Sequence, residues 1–253
     1  MAYWNIRFTS DEGTNCEVRL FGFSSSKELI AAEDPFTTSC DNTEDIFTPI
    51  RGGSGYIRCI GKVGEVDELF VDNSSKHHVQ FLQDGKVVWI GACKAEAYSQ
   101  PYTPGFINIE IPVVDTVSML DGEYWPTSNP YPISLEDLFF EFTELIDAGV
   151  ESFHFPHRTH PSEIRNHHVN PLNWIKTLDE KDISGNIYEV ATLREIMEDV
   201  CKVYGWSLRQ HGCDWYFTNM DIEDANLRSD TYYKVGREDW RTQITEKVTY
   251  FNP

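Results

Sequence analysis

The chain has 253 residues, with 21 Lys+Arg against 41 Asp+Glu, for a formal net charge of −20 at pH 7. That length can bury a core without disulfide or metal staples, and 40% hydrophobic with 13% aromatic residues is too apolar for a disordered acidic chain. The acidic excess argues against a surface built to grip nucleic-acid phosphates or an anionic membrane. No apolar run approaches the roughly 20 residues of a membrane span. The start, MAYWNIRF, lacks the basic and apolar stretches of a signal peptide. A soluble, folded, acidic protein made in a cytoplasm is expected, and its six cysteines, none in C-x-x-C spacing, are expected to be reduced and mostly buried.

The first 120 residues read as a succession of strands. Residues 3–9 alternate, with Trp4, Ile6 and Phe8 on one face; a turn-rich 10–15 and a second run at 16–21 complete a hairpin signal. Residues 24–44 are polar and irregular and read as a long loop carrying Asp34-Pro35. Gly52, Gly53 and Gly55 then lead into a strand at 56–60, where they would allow a positive φ or a bulge. HHVQFLQ and KVVWIGAC flank Asp84-Gly85, a favoured two-residue turn. After a Pro-rich 98–105, residues 106–115 form a further strand, about six in all, at spacings typical of a barrel or sandwich.

The second half changes character. Residues 125–133 are a Pro/Asn/Tyr-rich linker, and Ser134 caps a helix with Glu136 and Asp137 in its first turn. Its stripe is Leu135, Leu138, Phe139, Phe142, Leu145 and Ile146, and Gly149 is placed to stop it. Residues 153–173 are rich in His and Pro, with little periodicity. Thr192 and Glu195 form a capping box ahead of a helix with Leu193, Ile196, Met197, Val200, Cys201 and Tyr204 on its buried side, ended by Gly205. Strands at 206–210 and 214–218 follow, joined through His211-Gly212-Cys213. The expected fold is therefore α+β and β-dominated. An N-terminal antiparallel β-barrel or sandwich (1–122) precedes a mixed α/β part (123–253) with helices near 134–148 and 192–204 and a hairpin.

The densest chemical constellation is His154, His157, His160, His167 and His168, a metal flag because imidazole is a common transition-metal ligand. Pro156 and Pro161 deny this segment a helix that would align ligands, and the spacing matches no hydrolase motif. No G-x-S-x-G elbow or P-loop is present, and with 41 acidic groups chance explains any carboxylate pair. Trp89, Trp125, Trp174, Trp206, Trp215 and Trp240 could mark a sugar-binding face, but strand and helix periodicity favours their burial. No catalytic residue or cofactor is assigned, and a scaffold or binding part is expected rather than an enzyme.

Trp89-Ile90-Gly91, the stretch from Ala95 through Tyr98 and Pro101-Tyr102-Thr103, the strand at 107–112 and Asp115 come in an order that resembles a segment of tail proteins in prophages of gut anaerobes. Phe47-Thr48-Pro49-Ile50-Arg51-Gly52-Gly53-Ser54-Gly55 is similar to its F-x-P-I-R-G-S approach to a strand, Gln80 to Lys86 fits its hairpin, and residues 193–217 fit a helix ending in Gly-Trp before a Trp-Tyr-Phe strand. The likeness covers most of 1–220. Val114-Asp115-Thr116-Val117 departs from the family's Asp-Gly-Leu, and 123–191 matches poorly. Such tail proteins usually run longer, so the chain is expected to be a short version or an N-terminal piece.

The resemblance implies a tail-tip or baseplate hub component with tail-tube-type barrels. It would form a ring, a trimer being one option, around a channel, with tail-tube and tail-tip proteins as partners, in a virion tail assembled in the host cytoplasm. An acidic wall would let DNA pass without specific binding. The rival readings are a carbohydrate- or receptor-binding adhesin using Tyr/Trp platforms and a metal-dependent hydrolase centred on His154–His168.

Overall fold

A computed structural model describes residues 2–40, 48–62, 64, 68, 77–94, 105–125, 132–147, 149–156, 166–169, 175–177, 188–219, 229–234 and 243–244. The strands of the first half are β1 (Tyr3–Thr9), β2 (Asn15–Phe21), β3 (Lys27–Cys40), β4 (Ile50–Arg51), β5 (Gly53–Lys62), β6 (His78–Gln83), β7 (Lys86–Cys93) and β8 (Phe106–Asp115). All but β4 form a closed barrel in the order β1-β2-β6-β7-β8-β5-β3. The pairs are antiparallel except the closing one, where β1 and β3 run parallel with Trp4 opposite Lys27 and Ile6 opposite Leu29.

Alternation along each strand sends one set of side chains inward. Trp4, Ile6, Val18, Leu20, Ile57, Cys59, Val79, Cys93, Ile109, Ile111 and Val113 fill the interior, which is a packed core rather than a pore. A stack closes one end: Trp4 lies on Phe23 with centroids 3.9 Å apart, Phe23 on His77 at 4.6 Å, and Lys27 Nζ sits 5.0 Å from the Trp4 ring. Phe36, Phe81 and Trp89 pack together toward the other end.

The segment read as a loop at 24–44 is instead, over Lys27–Cys40, the seventh strand, the one that closes the barrel. It reads as a loop because only Leu29 along it is buried and its middle is irregular. Its register against β5 jumps between Ala31 and Phe36, where Asp34 takes φ +47° ahead of Pro35. The glycines at 52, 53 and 55 do not serve a positive φ. A Cβ at Gly55 would overlap the Thr37 carbonyl of β3, and one at Gly52 the Ser118 hydroxyl. The β6–β7 turn is as expected, with Asp84 at φ +47° and Gly85 at +78°, the double left-handed geometry of a type I′ turn.

After a one-turn 3-10 helix at Ser118–Asp121, the second half contributes β9 (Ile133–Ser134), α1 (Leu135–Ile146), β10 (Ser152–Pro156), β11 (His168–Val169), β12 (Ile175–Thr177), β13 (Tyr188–Val190), α2 (Leu193–Tyr204), β14 (Trp206–His211), β15 (Asp214–Asn219), β16 (Ser229–Lys234) and β17 (Gln243–Ile244). A six-stranded sheet runs β17-β16-β10-β15-β14-β4; β9 pairs with β11, and β12 with β13. The fold is β-dominated α+β.

Ser134 accepts a hydrogen bond from the Asp137 N–H at the start of α1, and the Thr192/Glu195 box is fully formed on α2. Gly205 ends α2 at φ +65°. The C-cap of α1 is Asp147 at φ +43°, two residues before the glycine that the sequence suggests. Within the His/Pro-rich stretch, 152–156 is a strand whose Phe153 and Phe155 are buried. His211 belongs to β14, opposite Asp214, so the hairpin turn is only Gly212-Cys213. Phe139 of α1 lies 5.0 to 5.9 Å, centroid to centroid, from Phe217, Phe155 and Phe153 on the sheet.

The two sheets meet at a polar knot. Only Gly91, Ala92 and Cys93 of β7 pair with β8. Gln210 of β14 reaches the earlier part of β7: its Nε2 donates to the Ile90 carbonyl and to the Gly212 carbonyl, each at 2.8 Å. Its Oε1 accepts from the Thr116 N–H at 2.8 Å and from the Thr116 hydroxyl, which in turn accepts from Trp215 Nε1 at 2.7 Å. Ile50, Ile90, Ala92 and Val117 join the helices and the second sheet in one apolar core.

Candidate functional site

The structure scatters the predicted histidines that it describes. His154 sits on β10 with its ring stacked on Tyr216 (4.1 Å, 3°). Its Nε2 lies 3.1 Å from Ser152 Oγ and 3.5 Å from an Asp214 carboxylate oxygen, and Ser152 Oγ donates to the other Asp214 oxygen. Serine, histidine and aspartate thus come together, but in an order unlike a nucleophilic triad. A triad sets the base between the other two, the carboxylate on one ring nitrogen and the hydroxyl on the other. Here both meet the same nitrogen, the serine proton is committed to the carboxylate, and Ser152 is 2% exposed. The arrangement clasps the adjacent starts of β10 and β15. His167 Nδ1 instead contacts the Tyr204 hydroxyl on α2, and His168 Nδ1 lies 2.9 Å from the Asn166 carbonyl. His157 and His160 lie outside the described residues. Among the described residues, no three His, Cys, Asp or Glu side chains gather as a metal site would require.

The tryptophans form no platform among the described residues. Trp125, Trp206 and Trp215 are buried, and Trp89 packs edge-on to Phe36 in the barrel. Trp174 and Trp240 lie outside the described residues. The cysteines form no disulfide, with Cys40 the exposed one; burial pushes Cys93 up to about 12 and Cys213, with help from Glu151 and Asp214, up to about 11. Neither is primed as a thiolate nucleophile.

One accessible surface is the outer wall of the barrel over β3, β5 and β8. Three large apolar side chains stand on it: Phe106 (66% exposed), Ile30 (59%) and Tyr56 (42%). Cross-strand pairing places Ile30 opposite Ile60 and Phe106 opposite Lys62. Cations lie over the rings: Arg58 is 5.7 Å from the Tyr56 centroid and Lys62 Nζ 5.4 Å from that of Phe106. Arg58 also pairs with Glu110 at 2.9 Å. Arg58 and Lys62 on the outward row of β5 are flanked by Glu110 of β8 and by the exposed Glu28, Glu33 and Asp34 of β3, so the wall carries charges of both signs.

The outer face of α1 carries one sign only. Its sequence, LEDLFFEFTELI, has four carboxylates and no Lys or Arg. Asp137, Phe140, Glu141 and Glu144 share the face turned from the core. Burial, then Glu144 and Asp137, hold the Glu141 carboxyl above the usual carboxylate range. Sequence reading passed over both faces. Aromatic and basic residues two apart on the outward row of a strand, as in Tyr56-x-Arg58, were the available signal for the first.

No family model and no curated protein matches the sequence. Among solved structures the chain is similar to a tail protein from Neisseria meningitidis MC58, at 9% identity over 73% of this chain and 50% of that one, with a TM-score of 0.40. It is also similar to the 43 kDa tail protein of prophage MuSo2 from Shewanella oneidensis, at 10% identity over 72% of this chain and 48% of that one, with a TM-score of 0.42. The chain spans about half the length of these two structures.

Proposed function

We propose that this chain is a structural part of a phage-type tail, of the tail-tip or baseplate hub class, and acts by assembly with other proteins rather than by bond-making chemistry. The observation that carries the reading is where the family-like motifs fall. Pro49-Ile50-Arg51 supplies the edge strand β4 and leads into β5. Trp89-Ile90-Gly91 ends the free part of β7, with Gly91 so close to β8 that a Cβ would overlap the Val114 carbonyl. Gly205-Trp206 turns α2 into β14, and Trp215-Tyr216-Phe217 lies in the core of β15. Among the described residues, these motif positions lock strands together, as a resemblance in architecture requires.

A filled barrel cannot carry a channel through itself, and closure removes the free edges that would pair with a neighbour. Any channel in such an assembly therefore lies between copies, and contacts between barrels are made by side chains of their outer walls. In this reading the partners are copies of the chain itself in a ring, with tube and tip proteins above and below it. The negative charge keeps a passing DNA backbone from sticking. The test is deletion of the gene from the phage or prophage that encodes it. Particles without complete tails, restored by a plasmid copy, are the expected result; normal tailed particles from the deletion strain would contradict the proposal.

A further inference from the structure

We infer that His78 is a proton-sensitive latch between the barrel and the second half of the chain: the neutral imidazole closes the seam between β6 and the C-terminal end of α1, and the imidazolium loosens it. His78 lies on the outward row of β6, opposite Ala92 of β7. Val79, the next residue, points into the barrel interior. Ala92 and Ile90, on the outward row of β7, are each 1% exposed and belong to the apolar core that the helices and the second sheet share. The imidazole therefore stands at the border of that core. It is half-buried, and its Nδ1 is shielded from solvent without a hydrogen-bond partner.

A neutral imidazole carries one N–H and one bare nitrogen, whereas the imidazolium carries an N–H on both. In the charged form the Nδ1–H is buried with no acceptor, and the cation loses water that the apolar border does not replace. Burial is accordingly the largest influence on His78 and holds it below the ordinary histidine range. His77, stacked on Phe23, acts in the same direction. Asp147, the C-cap of α1, acts against it, but that carboxylate is exposed and burial outweighs it. Among the described residues of the adjoining strands, Glu17 and Arg19 on the outward row of β2 pair with each other at 2.7 Å. Lys86 of β7 lies at the far end of that strand, opposite Gln83. The unfolded chain takes up the proton near pH 6.5 and the folded chain only at lower pH. The latch is therefore fully closed above about pH 6.5, and its contribution is lost as the pH falls through the folded value.

The experiment is amide hydrogen exchange on the full chain from about pH 7.5 down to about pH 5, the range in which a histidine titrates, with rates corrected for the intrinsic chemistry of exchange. In the wild type, the amides of β6 and of the last turn of α1 are expected to lose protection several-fold as the pH falls, ahead of the rest of the chain. His78→Gln and His78→Leu cannot take up the proton and should keep the same protection at both ends of the range. Two replacements are used because Gln preserves a polar edge and Leu matches the apolar border, and circular dichroism at the higher pH identifies the folded ones. Asp147→Asn suits the left-handed φ of +43° and removes a carboxylate that favours the imidazolium, so its loss of protection should exceed that of the wild type. Equal losses in the wild type and in the folded His78 variants would overturn the inference. A loss spread evenly over the chain would do the same, because acid would then unfold the molecule as a whole rather than open this seam. Neither result bears on the tail role.

Discussion

Replacing Gln210 with alanine is expected to lower the stability of the chain by about 3 kcal/mol, since each buried polar group left without a partner costs roughly 1–3 kcal/mol. The side chain uses both amide hydrogens and both oxygen lone pairs, and it joins β7, the segment after β8 and the hairpin turn. Its loss orphans the Thr116 N–H and the Ile90 carbonyl together. It also frees the Thr116 hydroxyl that Trp215 depends on. Thr116 and Trp215 are both fully buried, so water reaches them only by opening the seam between the sheets. Gln210→Glu should be no better, because a carboxylate cannot donate to the two carbonyls. Urea unfolding followed by tryptophan fluorescence measures the change. A loss below about 1 kcal/mol would mean that the seam is held by the apolar core alone.

Phe139→Ala should cost about 3–5 kcal/mol, the range for emptying a large aromatic site in a packed core. Phe139 is 1% exposed and is the point where α1 touches three sheet rings. Phe153, Phe155 and Phe217 pack around the site, so truncation leaves a cavity whose cost adds to the lost transfer energy. Its neighbour Phe140 is half-buried on the outer face, and Phe140→Ala should cost only a fraction as much. Equal effects at the two positions, measured in the same urea titration, would contradict this assignment of faces.

These two residues were not equally legible in the sequence. Phe139 follows from helical spacing with Leu135, Leu138 and Phe142, and the caps at Ser134 and Thr192 were visible because a helix end is a local event. The period-2 strands and the Asp84-Gly85 turn were legible for the same reason. Gln210 was not, because its partners Thr116 and Ile90 lie 94 and 120 residues away. The closing strand β3 was hidden because only Leu29 along it is buried and a bulge at Asp34-Pro35 breaks the alternation. In β10, His154 and Pro156 hid the two buried phenylalanines at 153 and 155.

The candidate surface was equally illegible. Lys62 meets Phe106, and Arg58 meets Glu110, only through the register of β5 against β8. Conversely, the histidine cluster is conspicuous in sequence, while of its described members His154 lies on β10 and His168 on β11, strands of different sheets.

The most direct measurement of the proposed assembly role is cryo-electron microscopy of tail particles produced by the strain that encodes the chain. The account predicts copies of the closed, side-chain-filled barrel arranged around the axis near the tail tip, with the channel running between them. Tails complete at the tip, with no density that fits this barrel, would contradict it.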